Sequence, residues 1–170
     1  MRILLVEDNR DILANLADYL GMKGYTVDCA QDGLSGLHLA ATEHYDLIVL
    51  DIILPRKNGL EVIQELQLPA IGEALDFGCG NGVLTEIIRQ ALPSWAIYGT
   101  DIIKKAVKNA TIRYPNCTFF ETNSSIHTQK KFDFVFTHHV FEHVYDLSKV
   151  FNQMNNYLKS NSSMLHFLPC

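Results

Sequence analysis

The sequence predicts a three-layer α/β/α fold, with a doubly wound parallel sheet of about eight strands covered by helices on both faces. Three observations predict it. Short apolar runs rich in β-branched residues alternate with segments of helical period through nearly the whole chain. Those runs are continuously apolar rather than alternating, as strands buried on both faces require. Glycines and polar clusters, such as Gly24, Gly33, Asn58–Gly59, Gly72 and Ser160–Ser163, fall where strand and helix should part.

Taken in order, the strands are expected at Ile3–Val6, Thr26–Cys29, Leu47–Leu50, Ala74–Phe77, Ala96–Gly99, Thr118–Phe120, Phe132–Thr137 and Met164–Leu168. The helices between them are expected at 10–22, 33–43, 59–67, 82–91, 102–113 and 146–159. One abrupt change interrupts the rhythm. At Gln67–Gly72 a helix runs into Leu68-Pro69 and a new strand begins almost at once, dividing the chain into units 1–67 and 68–170.

Composition narrows the function classes. The 170 residues suffice for one ordinary domain or two small ones. A net charge of −5 argues against nucleic acid as the main partner, because phosphate binding needs clustered Lys and Arg. The basic clusters, Lys104–Lys105 with Lys108 and Lys130–Lys131, are explained by a solvated helix face and a solvated loop. No apolar run approaches the ~20 residues that span a bilayer, and Met1–Arg2 leads straight into a strand without signal-peptide architecture. Cys29, Cys79, Cys117 and Cys170 are scattered, without zinc-like spacing. A reduced, cytoplasmic setting without nucleic-acid or membrane partners is expected.

Two constellations carry chemistry. The first is acidic. Strand Ile3–Val6 ends in Glu7-Asp8 and strand Leu47–Leu50 in Asp51, and carboxyl ends of parallel strands share one rim. Three carboxylates converging there repel one another unless a cation lies between them, and hard oxygen ligands suit Mg²⁺. A simpler reading has Asp8 and Asp51 capping their loops. The strings RILLVEDN (2–9), DLIVLDIILP (46–55) and NGLEVI (58–63) resemble the receiver domain of bacterial response regulators. By that resemblance Asp51 matches the phosphoacceptor, Glu7 and Asp8 the acidic metal-binding pair, and the Ile53 carbonyl a further metal ligand. The resemblance ends near residue 67, before the strands in which the family carries a Ser or Thr and a Lys.

The second constellation is a glycine loop. ALDFGCGNG (74–82) places G-x-G-x-G between a strand and a helix, where backbone can approach a ligand and helix N–H groups can face it. The next strand is followed by Thr100-Asp101, an acid positioned to accept ribose hydroxyl hydrogens. DFGCGNG (76–82), YGTD (98–101) and FDFVFTHHVFEHV (132–144) together resemble the class I methyltransferases, which bind S-adenosylmethionine on a Rossmann-like core. The resemblance implies that Gly78, Gly80 and Gly82, helped by Asp76, bind the methionine part of the cofactor. It implies Asp101 for the ribose, Ile102 against the adenine, Asn123 near the adenine edge, and His138 with His139 beside the methyl-transfer pocket. His138, His139 and His143 lack an acidic or Cys partner that would make them a metal site. No residue is assigned as catalytic base, because methyl transfer from a sulfonium needs mainly alignment of the nucleophile.

Receivers run 2-1-3 over the matching portion, and methyltransferases run 3-2-1-4-5. Joining the open edges predicts one sheet in the order 2-1-3-8-7-4-5-6, with every crossover right-handed. Since the acceptor-binding elements that follow the fifth methyltransferase strand are missing, the expected function is that of an engineered or recombined flavodoxin-like/Rossmann-like scaffold. It would keep a residual S-adenosylmethionine site and show no established catalysis. The alternatives are a methyltransferase acting on an unknown small molecule and a phosphoacceptor response regulator. A monomer or a segment-swapped dimer is expected.

Overall fold

The computed structural model describes residues 1–66, 68–122, 130–138 and 147–168, and of 147, 148, 160–163, 167 and 168 the backbone alone. The chain forms a mixed α/β fold, and among the described residues eight strands lie in one sheet, in the order β2-β1-β3-β8-β7-β4-β5-β6. That is the order the sequence predicts. By contact density the chain divides into Met1–Leu68 with Leu165–Cys170, and Pro69–Met164.

In the first unit, β1 (Arg2–Val6), β2 (Thr26–Ala30) and β3 (Leu47–Asp51) alternate with α1 (Arg10–Met22), α2 (Gly33–Thr42) and α3 (Gly59–Glu65). β1 lies between β2 and β3 and pairs with both in parallel. This central place explains its all-apolar ILLV run, whose four side chains are at most 1% exposed. Each helix begins on a residue suited to orphan N–H groups. Asn9 accepts from the amides of Asp11 and Ile12, Asp32 from that of Ser35, and Asn58 forms a reciprocal capping box with Glu61. At the amino-terminal rim the Arg2 guanidinium bridges Asp28 and Glu43, while its amide donates to Asp46 at 2.7 Å.

In the second unit, β4 (Glu73–Phe77), β5 (Ala96–Asp101), β6 (Thr118–Glu121) and β7 (Phe132–His138) pair in parallel, β4 between β5 and β7. α4 (Val83–Ala91), α5 (Lys104–Arg113) and α6 (Leu147–Asn155) connect them. The core holds Leu75, Ile88, Phe132, Phe136 and Met154, all below 3% exposure. Its amino-terminal rim is tied by ion pairs from Lys130 to Glu73 at 2.8 Å and from Lys159 to Asp133 at 2.9 Å.

Only the last helix and strand depart clearly from expectation. α6 ends at Asn155 rather than 159, and β8 (Leu158–Leu168) runs through the polar 160–163 stretch that reads as a break. The cause is Tyr157. Its amide closes the last helical turn on Met154, and its carbonyl accepts from the Phe132 amide at 2.7 Å, so extended pairing starts there. Tyr157 is also held by Phe77, Phe120 and Phe132, with ring centroids 6.2–6.4 Å away. No helix among the described residues is long and apolar enough to cross a membrane.

Candidate functional site

Each unit collects carboxylates at the carboxyl ends of its strands. In the first, oxygens of Glu7, Asp8 and Asp51 all lie within 4.8 Å of one another. Glu7 and Asp51 are buried, and Asp8 is exposed. Burial, with the charges of Asp51 and Asp8 added, pushes the Glu7 carboxyl above its ordinary value. Burial and the charge of Asp8 push Asp51 the same way. Some of the field is answered by backbone donors. The Asn9 amide donates to Glu7 at 2.9 Å and the Ile53 amide to Asp51 at 3.1 Å. Ile53 itself is exposed in the turn after β3. The structure therefore brings together the three acidic residues picked from the sequence. Three hard oxygen donors of one sign suit a divalent cation.

In the second unit the loop from Gly78 to Gly82 leaves β4 and enters α4. Gly78, Gly80 and Gly82 all have positive φ, at 81°, 51° and 79°. Only glycine holds that conformation without strain. The loop is pinned from below: the Gly78 and Cys79 amides donate to the Thr100 carbonyl at 2.8 and 2.9 Å. It is pinned from the side by Asp101, whose Oδ2 accepts from the Gly80 amide at 2.9 Å, while Oδ1 accepts from the Ile103 amide at 2.8 Å. Each of these oxygens retains a second lone pair. A Cβ built on Gly80 would meet no atom of the described residues within 4 Å, so among them that side of the loop faces open space. On Gly82 it would strike the Phe119 ring at 2.8 Å, which shows how tightly the loop rests on β6.

Asp76 sits beneath this loop, 1% exposed. Its Oδ2 accepts from the Thr85 hydroxyl at 2.6 Å. Burial pushes its carboxyl up to about 7; the charge of Asp101 adds to the rise, and the hydroxyl and amide of Thr85 oppose it. The neighbouring Cys79 thiol is likewise pushed well up by burial. Ile102, 78% exposed, offers bare apolar surface directly after Asp101. His138 is the half-buried last residue of β7. Asn123, His139 and His143 lie outside the described residues.

Residues 75–164 match the methyltransferase domain family, more than half of the chain. The chain belongs to that family. Ahead of this methyltransferase unit, residues 3–71 match the response regulator receiver domain. Over 67 residues, 39% of this chain, it is 49% identical to the transcriptional regulatory protein TctD of Salmonella typhimurium. It is 45% identical over the same length to DltR of Streptococcus agalactiae. The chain spans about three tenths of the length of these curated relatives. Among solved structures, the plantazolicin methyltransferase BpumL in complex with SAH is 30% identical, with 56% of this chain and 37% of that one covered at a TM-score of 0.47. A TehB-like SAM-dependent methyltransferase from Corynebacterium glutamicum is 14% identical over 91% of this chain and 70% of its own, with a TM-score of 0.49. The Francisella response regulator 1452 receiver domain is 16% identical over 74% and 86%, with a TM-score of 0.37.

Sequence reasoning missed Thr85 and Thr100. Thr85 had a readable signal, being a polar residue on the same face as Ile88, where a helix of this kind should be apolar; both are buried. Thr100 acts through its carbonyl, which no side-chain motif reveals.

Proposed function

We propose that the methyltransferase unit binds S-adenosylmethionine on the Gly78–Gly82 loop and Asp101 and serves as a methyl-transfer unit for a small-molecule acceptor. The observation that carries this reading is the Asp101 carboxylate, fixed by two backbone amides with lone pairs to spare, beside a left-handed glycine that leaves open space. The residues present fit the cofactor. Asp101 would receive the ribose hydroxyls, the exposed Ile102 side chain would offer apolar surface to the adenine, and the left-handed glycines would let the methionine part approach the backbone. When bound, the cofactor supplies an electrophilic methyl group on a sulfonium. The protein's task is then to orient the acceptor, with His138 at the end of β7 bordering that side. The expectation of a recombined, inactive scaffold rests on two partial units and on missing acceptor-binding elements, and the assembled glycine loop gives no support to inactivity.

Calorimetric titration with S-adenosylhomocysteine tests the reading. Micromolar-to-millimolar binding is expected, weakened about 10- to 150-fold in Asp101→Ala, the equivalent of about 1.5–3 kcal/mol for hydrogen bonds to a charged group. Absence of heat at millimolar ligand contradicts it.

A second reading concerns the acidic pocket, and the convergence of Glu7, Asp8 and Asp51 favours it. These residues would hold Mg²⁺, with Asp51 as phosphoacceptor and the Ile53 carbonyl as a further ligand. Beryllofluoride, a phosphoryl mimic, should bind stoichiometrically in Mg²⁺ buffer and fail to bind Asp51→Asn. Equal binding by both proteins, or by neither, rejects the reading.

A further inference from the structure

We propose that Thr85 is a positioning residue of the cofactor site, clasping the start of α4 to the end of β4 through buried Asp76 and so fixing the glycine loop between them. This rests on the reading of that loop as the cofactor site. α4 is preceded at its cap position by Gly82, which has no side chain to cap the helix. The first amides of such a helix need an acceptor. Asp76 lies beside them on the neighbouring strand, and its Oδ2 accepts from the hydroxyl of Thr85 at 2.6 Å. The two residues are 1% and 0% exposed, so water cannot replace either partner. Strand and helix are thus tied on both flanks of the Gly78–Gly82 turn. Loss of the tie frees the turn to leave the left-handed conformation on which the Asp101–Gly80 contact depends.

The clasp has an electrical signature. A charged acceptor makes the stronger hydrogen bond, so the clasp tightens when Asp76 loses its proton. The other titratable groups around Asp76 are Asp101 on β5, Cys79 in the loop, and Cys117 before β6. Both thiols are pushed upward by burial, Cys117 to about 11, and Asp76 is raised to about 7. Cofactor affinity should therefore rise with pH through about 7 in the unmodified protein.

The test compares the full chain with Thr85→Val, which keeps shape but removes the hydroxyl, and Thr85→Ser, which restores it. Two readouts are taken: S-adenosylhomocysteine affinity from pH 5 to pH 9, and amide exchange of Gly78, Cys79, Gly80 and Gly82 without ligand. Thr85→Val should bind about tenfold more weakly, as expected for one lost hydrogen bond. Its inflection should move to higher pH, and its loop amides should exchange about tenfold faster. Thr85→Ser should return all three values toward those of the unmodified protein. Asp76→Asn, which still accepts the hydroxyl hydrogen but cannot ionise, should lose the inflection near neutrality at whatever affinity it retains. If Thr85→Val matches the unmodified protein in affinity, profile and exchange, the clasp is refuted. Should it fail to fold, an unchanged inflection in Asp76→Asn refutes it. If the unmodified protein binds no ligand, the cofactor reading fails instead, and the exchange rates still decide the clasp.

Discussion

Deleting residues 163–170 should abolish the protection of the Leu47–Leu50 amides against hydrogen exchange. β3 lies between β1 and β8 in the strand order, and all five of its residues are at most 9% exposed. Leu165–Cys170 belongs to the same compact unit as β3. The deletion uncovers a strand edge and removes the buried side chains of Met164 and Leu165, 3% and 0% exposed. Each such side chain contributes about 1.5–3 kcal/mol. Each backbone group left buried without a partner costs about 1–3 kcal/mol more. Against a typical total of about 5–15 kcal/mol, these losses suffice to unfold the unit. β8 is also the neighbour of β7, so the amides of Val135 and Phe136 should lose protection with it. Persistent protection of Leu47–Leu50 in the truncated chain contradicts this account of β8.

The second large effect is a pH dependence opposite to that of most carboxylates. Burial raises Asp76 to about 7 from an ordinary value of 3.8. The folded state therefore holds the proton more tightly than the unfolded state. The contribution of Asp76 to stability is fully present below about pH 4 and is lost as pH rises through about 7. The full shift corresponds to an upper limit of about 4 kcal/mol. Asp133 and Glu73 act in the opposite sense. Lys159 and Lys130 respectively hold their carboxyls below the ordinary range, so their contributions are present above about pH 4 and fade in acid. Comparison with Asp76→Asn separates the two trends. The variant should gain on the unmodified protein steadily from pH 4 to pH 8 in denaturant unfolding. A constant difference across that range rejects the assignment.

The strand order was legible because each half of the sequence resembles a family of known strand order, and joining their open edges keeps every crossover right-handed. ILLV at 3–6 and LIVL at 47–50 cannot lie at a solvated edge, and neither does. The acidic triad and the glycine loop were legible for a related reason, since parallel strands deliver their carboxyl-end residues to one rim. What escaped was set by tertiary contacts. The early start of β8 depends on Tyr157 meeting three aromatic rings from distant strands, and local polarity at 160–163 suggests the contrary. The Thr85–Asp76 tie joins residues nine apart, across a turn whose geometry only the left-handed glycines define. The ion pairs of Lys130 and Lys159 look from the sequence like solvated charges, yet they fasten the amino-terminal rim of the second unit.

The most direct test of the cofactor assignment is a residue-resolved amide spectrum of the full chain during titration with S-adenosylhomocysteine. The account predicts saturable shifts at Gly78, Gly80, Gly82 and from Asp101 to Ile103, with Glu7, Asp8 and Asp51 unmoved. Shifts confined to the acidic triad, or none at the glycine loop at saturating ligand, would contradict it.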